Sequence, residues 1–266
     1  MTDASALLAA YDAQLRGENE AVGADPRFRL GPLWIGVFPG GRGFISYRDL
    51  GGLGPRGVRA LVGAAMAFLV ADPQVREVEW KTRGHDAVEG LHEALVDAGF
   101  APQEPESIMI GGAELLALDL PLPEGVTLRR AVDPDDVRRA SHAADRVFEG
   151  EPREERVADL LDRIARGAEV WIAEADGEVV SSGRLEPVPG TDFAGIWGGA
   201  THPAWRGRGI YRALTAERAR SALARGVRYI NSDSTEFSRP ILERSGFVKV
   251  STTTPYEWHR PAVTPA

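Results

Sequence analysis

GGATHPAWRGRGIYRALTAERARSALAR, residues 198–225, joins an apolar strand to a helix through a turn of glycines and arginines. The apolar run 194–200 ends at Thr201-His202-Pro203. Arg206-Gly207-Arg208-Gly209 follows, and then a segment rich in Ala, Leu, Arg and Glu, good helix formers. Strand, glycine-rich turn and helix start, in that order, build a phosphate site. The glycines let the backbone approach an anion closely. The first amides of the helix have no partner within it and are free to bind that anion. Arg206, Arg208 and Arg212 concentrate positive charge at this point, in a chain whose net charge is −8.

The stretch lacks the GxxxxGK[ST] of nucleotide triphosphatases and the full GxGxxG of dinucleotide folds. It resembles the acetyl-CoA loop of the GNAT superfamily of acyl-CoA N-acyltransferases, [QR]-x-x-G-x-[GA]. Here that loop reads Arg206-Gly207-Arg208-Gly209-Ile210-Tyr211, with Tyr211 standing where Gly or Ala is usual. The resemblance implies that the main chain of Arg206, Gly207, Arg208, Gly209, Ile210 and Tyr211 holds the pyrophosphate of acetyl-CoA. It also implies that the strand ending at Thr201 splays from its neighbour, so that backbone groups of Ala200 and Thr201 hold the pantetheine arm. Gly198-Gly199 fits a bulge or a close backbone approach there.

The elements around this stretch follow the same family order. Upstream, 126–130 reads as a strand. Asp133-Pro134-Asp135-Asp136 reads as a helix start, with an Asp cap, Pro at the first position and acids in the first turn. Two amphipathic helices follow, and then strands at 170–175, 178–186 and 192–201, the first two joined at Asp176-Gly177. Downstream come a strand at 228–232, a short helix at 238–244 ending at Gly246-Phe247, and strands at 248–251 and 255–259 that close the sheet.

The first half repeats part of this pattern. A helix at 4–16, strands at 33–38 and 43–47, a glycine-rich loop at 51–57 and a helix at 58–70 precede a strand at 75–81. A helix at 88–98 then ends in Gly99-Phe100, as the later one ends in Gly246-Phe247. Strands are read at 107–110 and 115–120, and Pro121-Leu122-Pro123-Glu124-Gly125 reads as a linker. The expected fold is α+β: two GNAT-like domains in tandem, each a mostly antiparallel twisted sheet flanked by helices. The domains are 1–120, degenerate in its loop, and 126–266, which binds acetyl-CoA.

Composition limits the remaining possibilities. Hydrophobic residues are 43% and charged residues 26%, as in globular proteins. The acidic balance argues against nucleic-acid or anionic-membrane partners. There are no cysteines, which excludes disulfides, thiolate metal sites and a cysteine acyl-enzyme. No His and acid spacing suggests a metal. The N-terminus has no secretion signal, and the longest apolar run, 60–71, is too short to cross a bilayer. A cytoplasmic protein is expected, and a homodimer is compatible with this reading.

Acyl transfer from a thioester to an amine needs the amine deprotonated, the carbonyl oxygen stabilised and the departing thiolate neutralised. Positioning alone supplies on the order of 7–11 kcal/mol. The resemblance implies direct transfer of an acetyl group from acetyl-CoA to a primary amine of a small molecule or peptide. The alternative is a non-catalytic acyl-CoA-binding protein or sensor. The family places its base, a Glu or water, on the central strands: Glu186 is the first candidate, with Asp192, Glu149 and Glu151 also open. Its usual acid, a Tyr four residues before the Gly of Gly-Phe, is Leu242 here. Ser238 is the substitute carried forward, with Ser234 and Tyr211 beside it. His85 and His202 read as loop and turn residues.

Overall fold

The computed structural model describes residues 3–148 and 150–261. Glu149, one of the carboxylates considered above, lies outside the described residues. The described residues divide into two compact units, one made of 5–108 with 250–261, the other of 3–4 with 109–249.

In chain order, the first part contains α1 (Ala4–Gln14), β1 (Arg27–Leu30), β2 (Leu33–Phe38), β3 (Arg42–Tyr47), α2 (Pro55–Val70), β4 (Glu77–Arg83), α3 (Leu91–Asp97), β5 (Ala101–Pro102) and β6 (Glu106–Gly112). Helix α2 begins with Pro55, whose missing N–H costs nothing in a first turn. It buries Val58, Val62, Ala65 and Leu69 at helical spacing. Then come α4 (Ala113–Leu116), β7 (Val126–Arg130), α5 (Pro134–Val147), α6 (Glu154–Ala165), β8 (Glu169–Ala175), β9 (Glu178–Pro187), β10 (Phe193–Thr201), α7 (Ile210–Ala224), β11 (Tyr229–Ser234), α8 (Arg239–Arg244) and β12 (Val248–His259). The cap read at Asp133 is made: its carboxylate accepts from the Asp136 amide at 2.8 Å.

Two readings of the sequence are corrected. Residues 115–120 are not a strand. After Gly111-Gly112, Ala113 and Leu116 are both buried, three residues apart, and the backbone turns as α4. The two strands read at 248–251 and 255–259 are one, carried through by the β-branched run Thr252-Thr253-Thr254. Thr253 to His259 pair antiparallel with Arg83 to Glu77, and Tyr256 and Trp258 pack into the core around Trp80 and Leu95.

In the first unit the strand order is β1-β2-β3-β4-β12, with β5 on β12; β3 and β4 run parallel and the other pairs antiparallel. In the second the order is β6-β11-β10-β9-β8-β7, again with a parallel pair, β10 with β11. Helices α5 and α6 cover one face of this sheet over Val170 and Ile172, and Ile210 of α7 packs on Ala173 and Ala175. Both units thus carry a hairpin, a helix, a strand parallel to the second hairpin strand, and a short helix. Both short helices end alike. Phe100 N donates to Leu95 O at 3.0 Å and Phe247 N to Leu242 O at 3.1 Å, across Gly99 and Gly246 at φ of +89° and +102°. This is the Schellman closure, which needs a left-handed residue at that point.

Candidate active site

Strands β10 and β11 pair only at Phe193–Tyr229, Ala194–Ile230 and Gly195–Asn231, then run on without pairing. The sheet therefore opens at Ile196, leaving main-chain groups unused by a neighbouring strand. On its other side β10 stays paired with β9, through an irregularity: Trp197 faces Arg184 and Ala200 faces Ser182, so β10 holds one extra residue. The extra length sits at Gly198-Gly199, with Gly198 at φ +60° and both residues exposed. The expected splay and bulge are both present.

Beyond Thr201 the chain makes a short turn at Pro203–Trp205 and then the glycine loop. His202 has the turn role read for it, accepting from the Ala204 amide through Nδ1 at 3.3 Å. Gly207 and Gly209 take φ of +75° and +83°, and a Cβ on either would meet nothing within 4 Å. The loop from Arg206 to Gly209 is exposed, while Ile210 is buried and anchors the start of α7. No side chain caps α7, so its first amides face outward at a positive helix end. Arg206 Nε donates to Thr201 O at 3.0 Å, tying the loop to the strand end, and Arg208 lies over the Trp205 ring at 4.8 Å. Among the described residues no acid pairs with Arg206, Arg208 or Arg212. The Ala200 carbonyl is engaged by Ser181 Oγ at 2.8 Å, so on the β9 side this group is already used.

The bulge presents different neighbours on its two glycines. A Cβ on Gly198 would stand 3.0 Å from Arg184 Nη1, and a Cβ on Gly199 only 2.4 Å from Tyr211 Cε2. On the Gly198 side lies a cavity of about 260 Å³, lined by Ser141, Phe148, Asp159, Ser182 and Arg184 among others. Ser141 Oγ is buried there with no hydrogen-bond partner, a free site for a ligand's polar group. On β11, Asn231 Oδ1 and Ser234 Oγ are also buried without partners, beside and beyond the last pair with β10.

The proposed acid–base residues are placed unevenly. Glu186 is half-buried and bound by two guanidinium groups, Arg184 Nε at 2.8 Å and Arg163 Nη1 at 3.3 Å; Arg163 also donates to Asp159 at 2.8 Å. Burial opposes the charge of Arg163, yet its hydrogen bond to Asp159 and the two carboxylates hold its pKa above the ordinary value. Ser238 Oγ turns back to Thr235 O at 3.3 Å. Asp192 pairs with Arg228 at 3.7 Å, and Glu151 is exposed between α5 and α6. Leu242, in the place of the usual tyrosine, is 1% exposed and part of the core. His85 bonds Ser251 Oγ at 2.6 Å and Asp12 at 3.1 Å, inside the other unit.

Sequence reading did not single out Ser141, Asp159, Arg163 or Arg184, and it passed over a buried arginine as well. Arg218 is wholly buried on α7, on the same stripe as Leu214 and Ala222. The signal was available: an arginine at i+4 from a core leucine and i−4 from a core alanine.

Residues 136–247 match the model of the acetyltransferase (GNAT) family. Solved structures extend the likeness to both units. A GCN5-related N-acetyltransferase from Kribbella flavida is 17% identical with a TM-score of 0.67, covering 96% of this chain and 93% of its own. One from Sphaerobacter thermophilus is 18% identical at 0.62, with 87% and 78% covered. A tandem GNAT protein from the clavulanic acid biosynthesis pathway is 16% identical at 0.63, with 87% and 79% covered. At these identities the likeness is one of fold. No curated protein sequence matches significantly. Among the described residues no group of His and acids could hold a metal, and no helix is long and apolar enough to cross a membrane.

Proposed function

We propose that this protein transfers an acetyl group from acetyl-CoA to a primary amine of a small molecule or peptide. The observation that carries the reading is the continuity of three features: a splayed strand, a bulge at its opening, and an exposed glycine loop leading into an uncapped helix. Together they support a thioester laid along β10. Its diphosphate would rest on the amides of residues 206–211, where the left-handed glycines and the helix end favour an anion. The acyl carbonyl would lie at Gly198-Gly199, within reach of a main-chain donor able to stabilise an oxyanion.

The amine would enter the cavity beside Gly198. Ser141 offers it a hydrogen-bonding group, while Phe148 and Leu160 offer apolar contact to its carbon body. Its proton would leave to water or to the Asp159–Arg163–Glu186 network. Both carboxylates there are ion-paired with Arg163. Positioning then supplies much of the acceleration.

Calorimetry with acetyl-CoA, followed by thiol release across a panel of amines, tests the proposal. Saturable binding and amine-dependent release are expected. Binding without release for any amine would favour a non-catalytic acyl-CoA sensor, and absence of binding would remove both readings.

A further inference from the structure

Resting on the acyl-transfer reading, we propose that the acceptor is a free α-amino acid with an apolar side chain, its carboxylate held by Arg184 in the cavity beside Gly198. Arg184 is the starting point. It bonds Glu186 Oε1 through Nε at 2.8 Å, and among the described residues neither Nη1 nor Nη2 has a hydrogen-bond partner. The open end of this guanidinium lies at the bulge: Nη1 is 3.0 Å from the place a Cβ on Gly198 would occupy. Arg184 also lines the cavity. A planar fork with two free nitrogens matches the two oxygens of a carboxylate.

The charge around β9 favours an anion at this point. Arg163 and Arg184 are balanced by Asp159 and Glu186, and Arg156 is balanced by Asp145. Arg218 has no such balance. It is 0% exposed, and its N–H groups donate to Leu214 O at 3.2 Å, Arg184 O at 3.1 Å and Thr215 Oγ1 at 3.1 Å, all neutral acceptors. Its Nη1 would stand 2.8 Å from a Cβ on Gly183, the residue beside Arg184, so β9 carries a guanidinium on each face. An uncompensated buried cation is costly, and an anion bound next to it offsets part of that cost.

The rest of the cavity fits the remaining parts of such a molecule. Ser141 Oγ, buried there without a partner, is a second donor for the carboxylate. Asp159, bonded to Arg163 through Oδ2, supplies a negative group for the ammonium. Ala140, Ala144, Leu160 and Phe148 receive an apolar side chain. Spacing selects the amine. A carboxylate on Arg184 and an acyl carbon at Gly198-Gly199 would be neighbours, so the nitrogen has to sit on the carbon next to the carboxylate. A peptide N-terminus or a long-chain ω-amine, many bonds from its carboxylate, cannot use both. The step balances. The ammonium gives up a proton, its nitrogen bonds to the acyl carbon, and the C–S bond breaks with its electron pair on sulfur. The nitrogen loses a second proton as the amide forms. One of these protons ends on the coenzyme A thiol and the other in solvent, leaving the N-acetyl amino acid and coenzyme A.

The test uses the full chain with acetyl-CoA as donor and three acceptors of one carbon skeleton: leucine, leucinamide and isoamylamine, which lacks the carboxylate altogether. Coenzyme A release is followed, and the product is identified by mass. Wild type should use leucine with a kcat/KM at least about tenfold above either of the others, the low end for hydrogen bonds to a charged group. In Arg184→Met this preference should shrink to within about threefold, and Arg184→Lys, which keeps the charge but not the fork, should fall between the two. The wild-type comparison needs no variant and decides by itself. If wild type uses isoamylamine or leucinamide as well as leucine, the α-amino acid assignment falls and acyl transfer stands. A preference for leucine that persists undiminished in Arg184→Met removes Arg184 from the carboxylate. If no amine of any kind releases coenzyme A, the acyl-transfer reading falls and this assignment with it.

Discussion

Gly199 and Tyr211 occupy one another's space: the tyrosine ring lies where a side chain at 199 would begin, 2.4 Å from the position of a Cβ. The usual small residue of the loop motif has become large, and the strand beneath it carries no side chain. The pair is therefore expected to behave as a unit. Gly199→Ala alone should destabilise the protein by about 1–3 kcal/mol, the cost of overpacking, because the half-buried ring has to move. The double variant Gly199→Ala/Tyr211→Ala should be more stable than the sum of the two single changes. Urea unfolding of the four proteins checks this. Strict additivity would mean that the contact has no energetic content.

The glycine loop makes a separate prediction about binding. At Gly209 a side chain meets no neighbour, but φ is +83°, where a β-branched residue is strained. Gly209→Val should raise the acetyl-CoA dissociation constant at least about tenfold, through both the lost backbone conformation and the obstructed amides. The melting temperature in the absence of ligand should change far less than the affinity. Unchanged affinity in calorimetry would dissociate the loop from the cofactor.

Much of this was legible in the chain itself, for identifiable reasons. The Asp133 cap, the Asp-Gly hairpin and the two Gly-Phe helix ends are local devices, set by residues within a few positions of one another. The bulge at Gly198-Gly199 and the loop at Gly207 and Gly209 are also local, because only glycine takes those backbone angles cheaply. The pairing of the final strand with β4 was not foreseen, because partners far apart in sequence leave no local trace. Nothing within 248–259 states that its neighbour is Glu77–Arg83. The strand read at 115–120 was lost to a single turn of helix, too short to show periodicity. Arg218 was passed over because charge was taken as a mark of the surface, whereas its neighbours on α7 are core residues. The cavity beside Gly198 depends on residues of α5, α6, β9 and β10 meeting in space, which spacing along one element does not reveal.

Leu242 separates catalysis from stability. It stands in the place of a tyrosine that would be a proton donor, but it is 1% exposed and packed with Phe247, Ile196 and Ile230. Leu242→Ala should cost about 2–5 kcal/mol of stability through the cavity left behind. The rate per folded molecule should remain near wild type, since no reacting group is removed. Chemical denaturation and active-site-normalised turnover read the two effects independently. A large fall in normalised kcat would return position 242 to the reacting centre.

Asp136 makes the acid limb of stability predictable. Its carboxylate bonds Arg129 through both oxygens, one contact at 2.6 Å, and also accepts from the Val132 amide at 3.2 Å. The Arg129 hydrogen bonds hold its pKa down to about 2, from an ordinary 3.8, against the opposing effect of burial. A carboxylate lowered in the folded state contributes its full stabilisation above the unfolded pKa and loses it as pH falls through the folded value. The contribution should therefore be complete above about pH 4 and decline toward pH 2. The shift corresponds to at most about 2.5 kcal/mol, and the partly exposed Arg129 reduces this to about 1–2 kcal/mol. Asp136→Asn should lower stability by that amount at neutral pH and by progressively less between pH 4 and pH 2. Urea midpoints across this range provide the measurement. A wild-type and variant difference that stayed constant down to pH 2 would show that the Arg129 pair is not what lowers this carboxyl.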